Sequence, residues 1–225
     1  LAIINAKGGT AKTTTAVSLA AALAGRGKRT LLIDLDSQAS ASLSLGIRRD
    51  DLSPSVADAM MTGHSLQNVI RSTGIERLDI ASGSPELMDA DLQLANVTGR
   101  ERRLAAAVAS VREGYAYTVL DCPPSLSLIP VNALVAADAY IIPTPPEYLA
   151  LEGLVGLEAA VNRIHAGIGD ECHLMGIALT KVDRRRRVTE EIIQVIRDHY
   201  KEKVFRTEIR VDVRLVEAPS FGKSI

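Results

Sequence analysis

Short apolar segments rich in branched side chains alternate with longer amphipathic or alanine-rich segments along the chain. The short segments are apolar at almost every position rather than at every second one, which is typical of strands in a parallel sheet covered on both faces. The pattern predicts strands at Leu1–Asn5, Thr30–Asp34, Arg77–Ala81, Tyr117–Asp121, Ala139–Pro143, Leu174–Thr180 and Val204–Thr207.

The longer segments have the apolar spacing of helices packed on such a sheet. Because strands and helices alternate, the sequence predicts an α/β fold with a doubly wound, mostly parallel sheet flanked by helices. Ligands of such folds bind at the carboxyl ends of the strands. The predicted helices are Thr13–Ala24, Ser55–Met61, Leu66–Ser72, Pro85–Leu94, Glu101–Arg112, Ile129–Ala136, Leu151–Ala166 and Glu190–His199.

Composition and charge narrow the classes of function. The chain has 225 residues and a formal net charge of −1, so binding to nucleic acid or acidic lipid requires a local basic patch. Cys122 and Cys172 are too few for a disulfide framework, which fits a reduced, cytoplasmic setting. The most apolar long window, residues 128–146, contains Asn132, Asp138 and several prolines, so we expect no membrane span there.

A glycine-rich turn between the first predicted strand and the first predicted helix carries the strongest chemical signal. Strand, glycine-rich turn, lysine, threonine and helix is the layout of a phosphate-binding loop, in which backbone N–H groups and the helix dipole attract anions. In this layout Lys12 reaches the β- and γ-phosphates and the Thr13 hydroxyl holds Mg²⁺. The residues predicted to bind nucleotide are Lys7, Gly8, Gly9, Thr10, Ala11, Lys12, Thr13 and Thr14.

The loop differs from the ordinary phosphate loop in two respects. The two outer glycines of the pattern G-x-x-x-x-G-K-[ST] are Ala6 and Ala11 here. If position 11 needs a positive φ, alanine costs about 1 kcal/mol relative to glycine. A second lysine, Lys7, lies five residues before Lys12, whereas an ordinary phosphate loop has only one lysine.

Acidic side chains follow two of the predicted strands. Asp34 and Asp36 are two residues apart, so on an extended chain they point to the same side. Asp121 ends another strand, where an aspartate can hold Mg²⁺, usually through water. Because parallel strands end at the same edge of a sheet, we expect these acids to lie beside the phosphate loop.

At this point the residues resemble a known family. The segment Lys-Gly-Gly-x-x-Lys-Thr-Thr, with its extra leading lysine, resembles the deviant Walker A motif of the ParA/MinD superfamily, and in particular that of the ParA and Soj partition ATPases. Further similar segments follow in order along nearly the whole chain, at residues 32–38, 121–125, 132–134, 147–153 and 214–223.

The resemblance implies a single P-loop ATPase domain over residues 1–225, of the P-loop NTPase fold type, with ATP and Mg²⁺ as cofactors. It implies an ATP-dependent sandwich homodimer that binds DNA non-specifically and helps to segregate chromosomes or plasmids. The implied partner is a ParB-type centromere-binding protein that stimulates slow hydrolysis, and the implied location is cytoplasmic and nucleoid-associated. Membrane binding is not expected.

Individual roles follow from the same resemblance. The implied catalytic residues are Lys7, Lys12 and Asp36. Lys12 would contact phosphate in its own subunit, Lys7 would reach the partner's nucleotide across the interface, and Asp36 would orient the attacking water. Asp121, together with Thr13, would belong to the Mg²⁺ shell, with Asp121 acting through water.

The chain departs from the family pattern at three places. Ala11 replaces a usual glycine, Ser37 replaces a usual proline after Asp36, and residues 210–212 stand where the family often has Pro-Arg-Asn. The last turn resembles an interior family segment, so we expect a C-terminal helix to follow it in the complete protein.

Four consecutive arginines, at positions 184–187, form a candidate basic patch before a helix whose N-cap is predicted at Thr189. By resemblance, Arg185 and Arg214 align with DNA-contacting arginines, and Lys223 could extend the patch. No aromatic residues are interleaved, so contacts to phosphates rather than stacking on bases are expected. A solvated turn is the simpler alternative interpretation of such a charge run.

Two other functions share the loop. A MinD-like membrane-associated positioning ATPase would use a C-terminal amphipathic helix to reach lipid, and the sequence ends without one. The nitrogenase iron protein needs a cysteine from each subunit at an iron–sulfur cluster, and neither Cys122 nor Cys172 matches that use. Phosphorylation of a small metabolite is also conceivable, although no substrate pocket is evident from the sequence.

Overall fold

The computed structural model of the protein describes residues 1–169 and 172–222. The described residues form one eight-stranded sheet in the order β3-β4-β2-β5-β1-β6-β7-β8. All neighbouring strands are parallel except β3 and β4, which are antiparallel. The strands are β1 (Ala2–Ile3), β2 (Thr30–Asp34), β3 (Ile70–Ser72), β4 (Leu78–Ala81), β5 (Tyr117–Asp121), β6 (Ala139–Thr144), β7 (His173–Val182) and β8 (Val204–Arg210).

Helices cover both faces of this sheet, which confirms the predicted doubly wound α/β fold. The α-helices in the described part of the chain are α1 (Lys12–Gly25), α2 (Ser40–Ser44), α3 (Ala90–Gln93), α4 (Arg103–Ala109), α5 (Leu128–Ala136), α6 (Ala150–Ile168), α7 (Arg187–Tyr200) and α8 (Val213–Glu217). Short 3₁₀ turns and one π turn, Asp58–Thr62, connect several of these elements.

Two hydrophobic clusters separate the faces of the sheet. Alternate residues of β2 point to opposite sides, so Leu31 and Ile33 join one cluster while Leu32 joins the other. Helix α1 packs on the Leu32 side, where alanines allow its backbone to approach the strands closely. The larger cluster lies on the other face, beneath α4, α5, α6 and α7.

The predicted helix over Leu66–Ser72 is wrong. Leu66–Asn68 form a single 3₁₀ turn, and Ile70–Ser72 form the edge strand β3. This strand pairs with β4 through partners such as Ile70 and Ala81. Residues 69 and 70 have branched side chains, which favour a strand over a helix. The hydrogen bonds to β4 stabilise the strand more than the weak helical pattern of so short a segment could stabilise a helix.

The predicted helices Ser55–Met61 and Pro85–Leu94 are helical segments of mixed type. Residues 56–57 are α-helical and lead into the π turn Asp58–Thr62, and a 3₁₀ turn over Pro85–Asp89 continues into α3. Helices α2 and α8 were not predicted. Helix α7 begins at Arg187 rather than after an N-cap at Thr189, which is buried inside its first turn. Arg187 therefore belongs to the helix instead of preceding it.

The carboxyl edge of the sheet brings the acids and the phosphate loop together. Asp34 and Asp121 are register partners on the adjacent parallel strands β2 and β5, so their side chains project to the same face. Strand β1 pairs with β5 through Ile3 and Asp121, which places the loop after β1 beside both carboxylates. Strand β1 lies where the chain order reverses, the position at which doubly wound folds bind ligands.

Two other sequence-level expectations concern the membrane and the cysteines. Among the helices in the described ranges, none combines the length and the apolar character that crossing a bilayer requires. Cys122 and Cys172 are both buried and free, and burial raises the pKa of each thiol. Cys122 is therefore a small core residue, as predicted.

Candidate functional site

The glycine-rich loop forms an open cradle at the start of α1. Gly9 and Ala11 both have a left-handed backbone, with φ of +72° and +67° respectively. Position 11 therefore needs the positive φ anticipated from the sequence, and alanine there is strained. Ala11 is also the N-cap of α1 and has no side chain to cap it, so the first N–H groups of the helix remain available to an anion.

Lys12 points back into the loop. It is buried, with 6% of its surface exposed, and its ammonium donates a 3.0 Å hydrogen bond to the carbonyl of Lys7. Burial lowers its pKa, while the negative charges of Asp121 and Asp36 oppose that shift. The oxygens of a bound phosphate could replace the Lys7 carbonyl as acceptors for this buried ammonium.

Lys7 points away from the loop. Its side chain is 61% exposed, and its ammonium lies 2.7 Å from a carboxylate oxygen of Glu147, in the segment after β6. Its backbone is fixed, because the Lys7 N–H donates to the Asn5 side chain and Asn5 in turn donates to the Pro143 carbonyl. The two lysines therefore have opposite orientations on one rigid loop.

The Asp121 carboxylate is the most unusual group at this edge. It is fully buried, and neither of its oxygens has a hydrogen-bond partner among the described residues. Burial raises its pKa well above the usual range and the nearby Asp34 charge adds to this, while the Thr13 hydroxyl and the Lys12 ammonium lower it. Native proteins rarely leave a buried carboxylate without partners, so this one fits a site for a cation or for ordered water.

These groups fit Mg²⁺ held together with a nucleotide. The described residues contain no cluster of three or more metal-ligating acids, histidines or cysteines. Mg²⁺ keeps several waters and commonly binds one or two protein oxygens plus substrate phosphates. Thr13 and Asp121 supply such a limited set, with the remaining ligands left to phosphate and water.

Asp34 braces the loop that carries Asp36. Its carboxylate accepts hydrogen bonds from the Ser42 N–H (2.8 Å), the Ser42 hydroxyl (2.7 Å) and the Asp36 N–H (3.1 Å). Burial raises the pKa of Asp34 to about 6, although the bonds from Ser42 act in the opposite direction. Asp34 is therefore a structural acid, and Asp36 is the more exposed one.

Gly83 packs directly under this brace. A Cβ at position 83 would lie 2.6 Å from the Asp36 carbonyl oxygen and 3.0 Å from that of Asp34. The Gly83 N–H also donates to the Ser42 hydroxyl at 3.2 Å. The end of β4 thus fixes the position of the Asp36 loop through backbone contact.

A cavity of about 850 Å³ opens beside the loop. It lies within the size range of ligand pockets, and its walls are mainly apolar. Ala11, Thr14 and Thr15 line the loop side, and Phe205 and Leu215 line the far side. This shape suits the nucleoside part of a nucleotide whose phosphates lie on the loop.

Lys181 was missed as a site residue by the sequence interpretation. It lies at the carboxyl end of β7, lines the cavity, and places its ammonium 4.0 Å from where a Cβ on Gly9 would stand. The preceding residue fastens this strand to the loop, because the Thr180 hydroxyl donates to the Thr10 carbonyl at 3.0 Å. Its position at the same sheet edge as Asp34 and Asp121 was the signal that could have found it.

The backbone at Lys181 is strained, with φ of +51°. Within the described residues its side chain has no ion pair or hydrogen bond. A lone cation beside a phosphate loop, on a backbone conformation that L-residues rarely adopt, is typical of a ligand-binding position.

The four consecutive arginines are of two kinds: Arg184 is half-exposed, and the three that follow it are 76–94% exposed. Arg184 is structural, since its guanidinium forms ion pairs with Glu190 (2.5 Å) and Glu208 (2.6 Å). Arg185 is 86% exposed and Arg214, at the start of α8, is 77% exposed. Lys223 lies outside the described residues.

Comparison with known proteins gives consistent results. A family model described as an AAA domain matches residues 1–174. The chain is 39% identical to the chromosome partitioning protein ParA of Myxococcus xanthus, over the whole chain and 80% of that protein. It is 40% identical to the sporulation initiation inhibitor protein Soj of Bacillus subtilis, over the whole chain and 89% of that protein.

A solved structure adds a view of bound ligands. The cobyrinic acid a,c-diamide synthase of Mycobacterium smegmatis, solved with an ATP analog and magnesium, is 30% identical to this chain. The match has a TM-score of 0.87 and covers 98% of this chain and 91% of that one. ATP and Mg²⁺, predicted from the sequence, are thereby supported as the cofactors.

The raised pKa of Asp121 predicts that Asp121→Asn stabilises the nucleotide-free protein at pH 8, because the isosteric amide cannot ionise; the gain is about 1.4 kcal/mol for each unit by which burial raises the pKa. Because burial raises the folded-state pKa of Asp121, the wild type should lose stability as pH rises through that pKa, and the variant should lose less. Urea unfolding from pH 5 to 8.5 measures this. The same variant should also lose the increase in ATP affinity that Mg²⁺ gives. If the free energy of unfolding has the same pH dependence in both proteins, the prediction is wrong.

The position of Lys181 predicts that Lys181→Met weakens ATP and ADP binding equally, by about fivefold to tenfold, because one charge-assisted contact is lost on the part that both nucleotides share. Calorimetric titration of each nucleotide measures the two affinities. Lys28→Met, an exposed lysine beyond the C-terminal end of α1, is the matched control. A loss confined to ATP would assign Lys181 to the γ-phosphate instead, and unchanged affinities would remove it from the site.

Proposed function

Because this chain belongs to the family of ParA/Soj-type partition ATPases, we propose that it segregates DNA by ATP-driven dimerisation and non-specific DNA binding. The chain is an ATPase with ATP and Mg²⁺ as cofactors, as predicted. What we propose beyond this activity is the dimer, the DNA contacts and the roles of single residues. The high identity is to partition proteins, which is why partition is preferred to the membrane-positioning alternative.

The orientation of Lys7 is the observation that carries the proposal. Lys12 is buried in its own loop, whereas Lys7 is exposed and directed at Glu147, away from its own phosphate cradle. One loop therefore has a lysine for its own nucleotide and a second lysine that faces outward. We assign the outward lysine to the nucleotide of a partner subunit, so that ATP is shared between two chains.

Exposed apolar side chains support a contact surface at this edge. Tyr148 and Leu149 follow Glu147 and are 82% and 60% exposed. Met88 and Leu92, in the segment after β4, are 70% and 80% exposed. Both segments follow the carboxyl ends of strands, where the site lies. Exposed large apolar side chains at such an edge are typical of an interface, and these would surround the shared nucleotides.

The remaining site residues receive roles in the same scheme. Bound Mg²⁺ would bridge phosphate oxygens and neutralise their charge, held by Thr13 and, through water, by Asp121. Lys12 would neutralise charge in its own subunit. Asp36, which the Asp34 brace holds beside the loop, would orient the attacking water. The strain at Ala11 and the presence of Ser37 favour slow basal hydrolysis that depends on a stimulating partner.

We assign DNA binding to the exposed arginines Arg185 and Arg214. They lie in the segments that follow β7 and β8, which are neighbours in the sheet. Both guanidinium groups are solvent-accessible, as contacts to a phosphate backbone require. A centromere-binding protein of the ParB type would be the stimulating partner, and DNA binding would place the protein on the nucleoid.

Dimerisation predicts that the 24.0 kDa chain doubles in mass with ATP, but not with ADP or without nucleotide. Lys7→Ala should keep ATP binding in the monomer and lose the dimer, because only the contact across the interface is removed. Size-exclusion chromatography with light scattering measures both states, and Lys28→Ala serves as the surface control. A Lys7→Ala protein that dimerises like the wild type would refute the assignment of Lys7.

The DNA assignment predicts that Arg185→Glu and Arg214→Glu each weaken DNA binding at least tenfold and leave ATP affinity unchanged. Each reverses a charge on the phosphate-contacting surface and should reduce the salt dependence of binding. Fluorescence anisotropy with a short duplex, in ATP and at several salt concentrations, measures this. Arg26→Glu, at an exposed arginine between α1 and β2 and so at the opposite, amino-terminal edge of the sheet, is the control. Wild-type affinity in both test variants would refute the assignment.

A further inference from the structure

Each arginine assigned to DNA is held by an aspartate two residues before it. Arg185 donates from Nε and Nη2 to the two carboxylate oxygens of Asp183, at 2.8 and 2.9 Å. Arg214 donates from the same two atoms to Asp212, at 3.0 and 2.6 Å. The same Asp-x-Arg arrangement therefore occurs twice, independently, after the carboxyl ends of the neighbouring parallel strands β7 and β8.

The backbone completes the same motif in both places. The Arg185 N–H donates to Asp183 at 3.2 Å, and the Arg214 N–H donates to Asp212 at 2.9 Å. Both bonds require an oxygen acceptor on the side chain of residue i, and asparagine supplies one as well as aspartate does. The turns therefore do not depend on the negative charge, which leaves the charge to act on the arginine.

The charge has a direct effect on an approaching phosphate. An arginine has five N–H donors, and the carboxylate occupies two of them in a bidentate contact. Each carboxylate offsets the charge of its arginine, so the pair attracts a polyanion less strongly than a free guanidinium. Asp183 also forms a longer ion pair, of 3.7 Å, with Nε of Arg186, but its bidentate contact is with Arg185. Hydrogen bonding to the arginines also lowers the pKa of Asp183 and of Asp212 to about 2. Both are charged at neutral pH, as an ordinary aspartate is.

We propose that Asp183 and Asp212 are built-in attenuators of DNA binding, which neutralise Arg185 and Arg214 and keep the affinity of this surface for DNA phosphates low. The inference rests on the proposed function, since it concerns the same surface. It adds that DNA must displace or share a carboxylate at each arginine. The aspartate two residues before each arginine would thus keep the contact with DNA weak and reversible.

The test removes the charge and keeps the turn. Asp183→Asn and Asp212→Asn, singly and together, are compared with the wild type by anisotropy on a short mixed-sequence duplex, with ATP, from about 50 to 200 mM salt. Each variant should bind about threefold more tightly, in line with the small free energies of exposed ion pairs. The double variant should also show a steeper fall of affinity with salt, because fully charged arginines release more counterions.

Glu191→Gln is the matched control. Glu191 pairs with Arg187 at 3.5 Å in the same region and its loss changes the net charge equally, but it does not hold Arg185 or Arg214. An equal gain in affinity from Glu191→Gln would show a general charge effect and overturn the proposal. Unchanged or weaker binding in the asparagine variants would also overturn it, since the carboxylates would then only position the arginines.

Including Arg185→Glu and Arg214→Glu in the same experiment separates the two levels of inference. If these variants lose DNA binding and the asparagine variants show no gain, only the attenuator proposal fails. If the glutamate variants bind like the wild type, the DNA-binding surface itself is wrongly assigned. Circular dichroism of each variant checks that the turns after β7 and β8 remain folded.

Discussion

The carboxylate of Asp121 is buried at the carboxyl end of a central strand, and among the described residues it has no hydrogen bond of good geometry, only the nearby hydroxyl of Thr13. Ionising a buried carboxyl is costly, which is why burial raises the pKa of Asp121 well above the usual range. A divalent cation relieves that cost, and phosphates in turn complete the shell of the cation. The glycine cradle, Thr13 and Lys12 are all arranged around this one unsatisfied group.

The neighbouring Asp34 shows how the same edge is kept rigid. Asp34 is equally buried, yet Ser42 and the Asp36 backbone saturate its oxygens, so it ties the Asp36 loop to α2. Gly83 closes this brace from below with no space for a side chain. One strand edge therefore contains a satisfied structural acid and an unsatisfied functional acid as register partners, and only the second calls for a ligand.

The sequence predicted those parts of the molecule that depend on local pattern. Apolar strands and the glycine-rich loop revealed the sheet, the cradle and the acids at its edge. The sequence-based prediction failed where tertiary contacts determine the secondary structure. An example is Ile70, whose strand depends on the hydrogen-bonding partners that β4 supplies. The prediction missed Lys181 and Glu147, because each acts through a residue distant in sequence. Arg185 and Asp183 are close in sequence, so their pairing could have been predicted, but the run of arginines was interpreted only as a positively charged patch.

The two lysines of the loop also bear on which anions the protein ignores. Both ammonium groups already have oxygen acceptors within the chain, the Lys7 carbonyl for Lys12 and the Glu147 carboxylate for Lys7. A small anion such as inorganic phosphate must compete with bonds that exist, and it offers too few oxygens to replace them all. A long phosphate chain can do so, since it contacts the helix N-terminus and Lys12 together. We therefore expect the loop to prefer extended polyphosphates to the simple anions around it.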